Sequence, residues 1–229
     1  PLNSLEMIRN NQTAFTILSD GLNGGAAQAT NNLQRGLIRE GVETSRWHFN
    51  PESEEHSSNY LSLDKGSKRP PIERIIKNFN KGFSNYLRAK RHRLAFKNAL
   101  INKNPSFLNI HNIHNSGINH LDIPEKIPII WTLHDCWAFD QYAFNWLDQS
   151  GKQCFAVKDR NSQVSKEKLD FLRRIRDNLI LVAPSYWLAN LAKEKTDGDI
   201  RVEHIPYGVD TDLFAPKDKN LARKEIGLP

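Results

Sequence analysis

Two adjacent glycines, Gly24 and Gly25, close the run Ser-Asp-Gly-Leu-Asn-Gly-Gly that follows a short β-prone stretch at 15–18 (FTIL). Ala26, Ala29, Leu33 and Leu37 then recur at helical spacing. Strand, glycine loop and helix in that order bring bare backbone N–H groups and a helix N-terminus to one point, where a phosphate could be held. Glycines also serve βα turns for conformational reasons alone, so the pair by itself leaves turn and phosphate loop both open. The dinucleotide pattern G-x-G-x-x-G and the Walker pattern G-x-x-x-x-G-K-[ST] are missing. Trp47-His48 stand where a ribose-binding acid would be expected, so nicotinamide and ATP readings fall.

A second constellation lies at 129–137, Ile-Ile-Trp-Thr-Leu-His-Asp-Cys-Trp, where a buried-type strand runs into His134 and Asp135. Open α/β sheets bind ligands beyond the carboxyl ends of their strands, which is where this His-Asp pair falls. The bland alternative is a histidine bonded to a neighbouring loop. The same logic singles out His111, His114 and Asn115 after the stretch ending Leu-Asn-Ile-His, and Gly208 in Ile205-Pro-Tyr-Gly-Val-Asp210. Gly208 is explained most simply by its turn. Tyr186 and Trp187 follow Ser185, a natural N-cap, and read as packing residues.

The elements that would position these groups alternate. Beyond the opening strand and helix, Gly41 suits a left-handed helix end and 42–47 reads as a second strand. Later apolar runs at 107–111, 127–133, 179–183 and 202–205 repeat the theme, and a doubly wound, Rossmann-like α/β domain with a parallel sheet is expected over 15–214. Residues 1–14 form an extension, and 215–229 read as a linker. Between the strands, 65–103 carries many Lys and Arg against the single acid Glu73, with apolar residues interleaved. It reads as a basic helical insertion, either the solvated face of layer helices or a surface for acidic headgroups. Its aromatics Phe79, Phe83, Tyr86 and Phe96 are expected in the core.

Composition bounds the rest. The 229 residues, 38% hydrophobic, suffice for a large core, and a mean hydropathy of −0.61 with no apolar run of membrane-spanning length argues for a soluble chain. No secretory pattern marks 1–14, so cytosol is the default location. Cys136 and Cys154 support neither a disulfide framework nor a metal cluster, and no cofactor is called for. The net charge of +6 suggests an anionic partner without choosing it.

In this order, GGAAQATNNLQRGLIREG, IHNIHNSGIN, IPIIWTLHDCWAF, VAPSYWLANL and IPYGVDTDLFAP resemble the amino-terminal domain of retaining GT-B glycosyltransferases, closest to the subgroup building bacterial exopolysaccharide and colanic-acid-like chains. The likeness spans about 15–229. It implies the N-terminal half of a GT-B fold, whose cleft takes a nucleoside-diphosphate sugar and a glycan or lipid-linked acceptor. On that resemblance Gly24 and Gly25 face the donor diphosphate, and His134 contacts the donor sugar near the reacting carbon with Asp135 supporting it. His111, His114, Asn115 and Gly208 are acceptor-side candidates. Tyr207 replaces the usual Asn of the IPNGVD-like turn, the cysteine-rich stretch of relatives is reduced to Cys154, so no metal site carries over, and the donor-binding glutamate pair belongs to a second domain. The reaction implied is transfer of a hexose with retention, the leaving phosphate helping to deprotonate the acceptor. The rival from another class is a non-catalytic basic module binding anionic membrane or nucleic acid through 65–103. The enzyme reading expects no nucleic acid, with peripheral contact at the inner face of the cytoplasmic membrane as the use of that segment.

Overall fold

The computed structural model describes residues 15–49, 60–63, 79–140, 162–212 and 214–228. The extension 1–14, the 65–78 half of the basic insertion and Cys154 lie outside them.

Short β-branched and apolar runs separated by helical segments can bury both faces only in a parallel sheet covered by helices on either side. That is the result. Strands β1 (Phe15–Ser19), β2 (Thr44–His48), β3 (Tyr60–Ser62), β4 (Leu108–Ile110), β5 (Ile129–Thr132), β6 (Leu179–Ala183) and β7 (Arg201–His204) form one all-parallel sheet in the order β3-β2-β1-β4-β5-β6-β7. The helices are α1 (Gly25–Arg39), α2 (Lys81–Lys103), α3 (Gln163–Arg174), α4 (Tyr186–Lys195) and α5 (Lys219–Glu225). The expected strands all form, with ends within two residues of those expected. β3 was not expected, because Tyr-Leu-Ser is too short to carry a period. Gly41 is left-handed after α1, and the Ser185 side chain caps α4 by accepting from the Leu188 amide.

Strand alternation sorts the sheet into two faces. On one, Trp47, Leu18, Ile110, Trp131, Leu181 and Val202 stand side by side across six strands and join the main core with Phe96 of α2, Phe171 and Leu172 of α3 and Leu188 of α4. The other face carries Arg46, Ile17, Asn109, Ile130 and Ile180 in register. Polar side chains thus enter the sheet toward its carboxyl ends on the α1 side. Helix α1 itself buries Ala27, Thr30 and Gln34, while the expected stripe of Ala29, Leu33 and Leu37 is half-buried and lines a cavity instead. Of its buried polar groups, Thr30 Oγ1 donates to the Ala26 carbonyl and Gln34 Nε2 donates to Thr44 Oγ1, while Gln34 Oε1 has no hydrogen-bond partner among the described residues.

Two expectations about packing are corrected. In α2 only His92, Phe96 and Ala99 are buried, whereas Phe79, Phe83 and Tyr86 are exposed, Phe79 by 88%. Phe96 alone of those aromatics is core, because the α2 face that turns inward is the one carrying residues 92, 96 and 99. Tyr186 and Trp187 are likewise exposed, Tyr186 stacking on His204 at 3.8 Å rather than entering the core. Within the tail, helix α5 is capped by Asp218 and buries no residue.

Candidate active site

The strand order reverses between β1 and β4, since β1 leads outward through β2 to β3 and the chain then returns to β4 on the other side. In doubly wound sheets this switch point opens a crevice at the carboxyl edge. Here β1 ends in Ser19 and Asp20. The Asp20 carboxylate accepts from the Asn115 and Ser116 amides at 3.0 and 3.1 Å, tying the loop after β1 to the loop after β4. Burial pushes the Asp20 carboxyl up to about 6 against the lowering effect of these bonds and of His114. A cavity of about 320 Å³ lies at this point, lined among others by Asp20, Asn23, Phe49, Arg88, Asn112 and Asn115. Arg88 Nε is buried there with no hydrogen-bond partner among the described residues.

Gly24 caps α1 with φ of +95°, which only glycine adopts without strain, and Gly25 opens the helix. A Cβ on either would meet nothing within 4 Å. The helix N-terminus is therefore bare and open, carrying the partial positive charge of its N–H groups. Beneath it Arg46 is fully buried, bonded to Ser19 Oγ, to the Gly21 carbonyl at 3.0 Å and to Asn31 of α1. A cation held under the loop both fixes Gly21 against α1 and adds positive potential where an anion would approach.

The loop after β4 is held by α2. His92 Nδ1–H donates to the Ser116 carbonyl at 2.5 Å and Arg93 Nε to the Gly117 carbonyl at 3.1 Å. Gly117 permits this approach: a Cβ there would lie 2.7 Å from Ala89 Cβ, and its φ is +82°. The loop after β5 is held by α3, whose buried Lys168 donates to the carbonyls of Trp137 and Asp140 at 2.5 and 2.8 Å and lies over the Trp137 ring. Burial lowers the Lys168 ammonium to about 8.

Between these loops stand the predicted histidines. His111 Nδ1 and His134 Nε2 are 2.8 Å apart, His111 Nε2 meets Asn109 Oδ1 at 2.8 Å, and His134 Nδ1 meets the Tyr207 hydroxyl at 2.5 Å. Burial lowers the His134 imidazole to about 4, with His114 adding to the shift; burial likewise carries fully buried His111 well below the ordinary range, with His134 and Arg46 adding to it. Both rings are therefore neutral at physiological pH. Asp135 turns away from His134. Its carboxylate accepts from the Trp137 amide at 2.9 Å and lies 3.7 Å from His114 Nδ1, and burial raises its proton affinity.

Helix α1 divides the acceptor-side candidates. Asn115 lines the 320 Å³ cavity on one side of it, whereas His111 and Gly208 line a second, more apolar cavity of about 440 Å³ on the other, with Leu33, Ile130 and Tyr207. His114 joins the two regions through Asn112 and Asp135. Gly208 has no positive φ, so its backbone does not demand glycine. Sequence reasoning missed Asp20, Arg46 and Arg88. Asp20 could have been found by the strand-end rule that picked His134, and Arg46 by its place in a strand whose neighbours are inward-facing. Arg88 lay hidden in a run of basic residues. Among the described residues no group of His, Cys, Asp and Glu could hold a metal ion.

A parallel sheet with a switch-point crevice fits many chemistries, and comparison with known families decides among them. The model of Glycosyltransferase Family 4 matches residues 23–213. The chain belongs to Glycosyltransferase Family 4. The match covers the sheet from α1 onward, including every site residue expected from the sequence, and makes this the N-terminal domain of a GT-B-type glycosyltransferase. No curated protein matches the chain. As a glycosyltransferase domain it works on a sugar donor and an acceptor. No helix among the described residues is long and apolar enough to cross a membrane.

Proposed function

We propose that this family 4 domain serves retaining transfer of a hexose from a nucleoside-diphosphate sugar to a glycan or lipid-linked acceptor, in polysaccharide or glycoconjugate synthesis. The observation that carries the reading is the convergence, at one carboxyl edge, of the bare Gly24-Gly25 helix terminus, the buried Arg46 below it, and the neutral His134 beyond β5. The donor diphosphate sits at the terminus, where N–H groups and Arg46 offset its charge. The donor sugar lies toward His134, and a second, donor-binding domain grips the nucleotide. Acceptor hydroxyls enter the switch-point cavity, whose amides, Asp20 and Phe49 suit a sugar ring and whose Arg88 suits an acidic substituent. The developing negative charge on the leaving diphosphate is stabilised by donors fixed before reaction, and that phosphate takes the acceptor proton. The test is a transfer assay with a panel of nucleotide sugars, the product anomer read by NMR. Inversion at the anomeric carbon would remove the retaining mechanism, and no transfer at all would remove the enzyme reading.

For location we propose peripheral attachment at the inner face of the cytoplasmic membrane. The support is α2, which has no acid in its 23 residues and presents Phe83 and Tyr86, with Phe79 just before it, to solvent. Exposed aromatics beside Lys and Arg suit the interface of an anionic bilayer.

A further inference from the structure

The polar chain from Asn109 to Tyr207 has a fixed direction. Asn109 Nδ2 donates to the Ile130 carbonyl at 3.0 Å and to Thr132 Oγ1 at 3.1 Å, so the atom it turns to His111 is its oxygen. That oxygen can only accept, so His111 Nε2 carries the proton and, the ring being neutral, Nδ1 is a bare lone pair. His134 must then donate to it through Nε2–H, which leaves His134 Nδ1 bare in turn. Tyr207 supplies the proton that Nδ1 lacks: its hydroxyl keeps its hydrogen, burial having raised it to about 12, and its ring stacks on His134 at 5.5 Å. A phenolic hydroxyl can donate or accept, and it meets the tautomer fixed at Asn109 by donating, so one direction runs from Tyr207 to the Ile130 carbonyl.

We infer that Tyr207 is a positioning and specificity residue: it closes His134 Nδ1, and because every hydrogen bond in the chain points inward, this point of the cleft offers a ligand lone pairs only. Whether a sugar hydroxyl binds to the Tyr207 oxygen or displaces Tyr207 and reaches Nδ1 itself, it must donate. A substituent that accepts but cannot donate is refused at that position. The sheet fixes this polarity through the Ile130 carbonyl, four groups away from the ligand, so no rotation of a single side chain reverses it. The part that concerns the ligand rests on the glycosyl-transfer reading above, and the tautomers do not. The titratable groups that face His134 are His111 just after β4, His114 from the loop beyond it, and Tyr207, while Asp135, its neighbour in sequence, is engaged by the Trp137 amide and His114.

Two measurements test this. The first is long-range ¹H–¹⁵N NMR of the imidazoles in the 229-residue chain. His134 and His111 should each show a protonated Nε2 and a bare Nδ1 at pH 7, and His134 should stay neutral to about pH 4. In Tyr207→Phe, with the amide spectrum otherwise preserved, the His134 Nδ1 resonance should move. A protonated Nδ1 on His134, or a Tyr207→Phe spectrum in which that resonance is unchanged, overturns the inference. The second uses the enzyme with its donor-binding half and donor sugars altered one hydroxyl at a time. At one position the deoxy and the deoxyfluoro analogue should lose kcat/KM alike, by about two- to tenfold, because fluorine accepts but does not donate. Full activity of every deoxyfluoro analogue overturns the polarity. If no nucleotide sugar reacts, the glycosyl-transfer reading falls, while the NMR result still decides the tautomers.

Discussion

Replacing Gly117 by Ala puts a methyl group where α2 crosses the loop that carries His114, Asn115 and Ser116. Its Cβ would lie 2.7 Å from Ala89 Cβ and 2.8 Å from Ala89 Cα, the latter a backbone atom that cannot swing aside. The residue is also left-handed, with φ of +82°. For an L-residue that conformation costs about 1–2 kcal/mol, and overpacking a close contact adds about 1–3 kcal/mol. The sum is about 2–5 kcal/mol, which in a domain of this size lowers Tm by roughly 4–20 °C. Gly198→Ala is the control. It shares the positive φ, at +75°, but its Cβ meets open space, so it should show the conformational cost without the overlap. Chemical denaturation of both variants separates the two terms. Ala89→Gly added to Gly117→Ala should return part of the loss, as a coupling between neighbours. Equal stability of Gly117→Ala and Gly198→Ala would refute the reasoning, because the α2 contact would then not be as close as described.

Gly25→Val should leave the fold intact, since its Cβ meets nothing, yet weaken donor use at least about tenfold by filling space beside the helix terminus. Unchanged donor KM and kcat in a folded variant would remove the diphosphate from this loop. The stability–pH profile should carry two opposed contributions. His134 falls from 6.5 unfolded to about 4 folded, so the stability it gives by staying neutral is present above pH 6.5 and is lost as pH falls toward 4, about 3 kcal/mol at most. Asp20 rises from 3.8 to about 6, so its cost appears as pH rises from 4 through 6, again about 3 kcal/mol at most. Asp20→Asn should therefore steepen the acid-side loss and His134→Asn flatten it, read by denaturation between pH 4 and 8. Co-sedimentation with anionic vesicles should exceed that with neutral ones and fall when Phe79, Phe83 and Tyr86 are replaced by Ser, each nearby Lys or Arg being worth about 1 kcal/mol. Equal sedimentation with both vesicle types, or capture by single-stranded oligonucleotide instead, would remove the membrane assignment.

The sheet was legible because β1, β4, β5 and β6 lie in short, predominantly apolar runs, as strands covered on both faces do. β3 was not, since three half-buried residues carry no pattern. The errors in α2 share one cause: an aromatic among basic residues reads as core or as surface according to which helical face turns inward, and that is set by His92 docking on Ser116 and by Ala89 meeting Gly117, contacts that exist only in three dimensions. At the site the strand-end rule placed His111 and His134 at the correct edge, but it could not show that they touch. That contact depends on β4 and β5 being neighbours in register, Ile110 beside Trp131. Asp135 illustrates the converse. Adjacent to His134 in sequence, it is committed to His114 and the Trp137 amide, and the groups bonded to His134 are His111 and Tyr207, 23 and 73 residues away.

The central claim is glycosyl transfer at the edge marked by Gly24, Gly25 and His134, and the most direct measurement is steady-state kinetics of His134→Ala beside wild type, in the enzyme with its donor-binding half and with its nucleotide sugar. An interaction made chiefly in the transition state appears in kcat. The account predicts that wild type transfers the sugar and that His134→Ala lowers kcat about tenfold or more, with a smaller rise in donor KM. Wild-type rates in the variant, or a loss confined to KM, would contradict it.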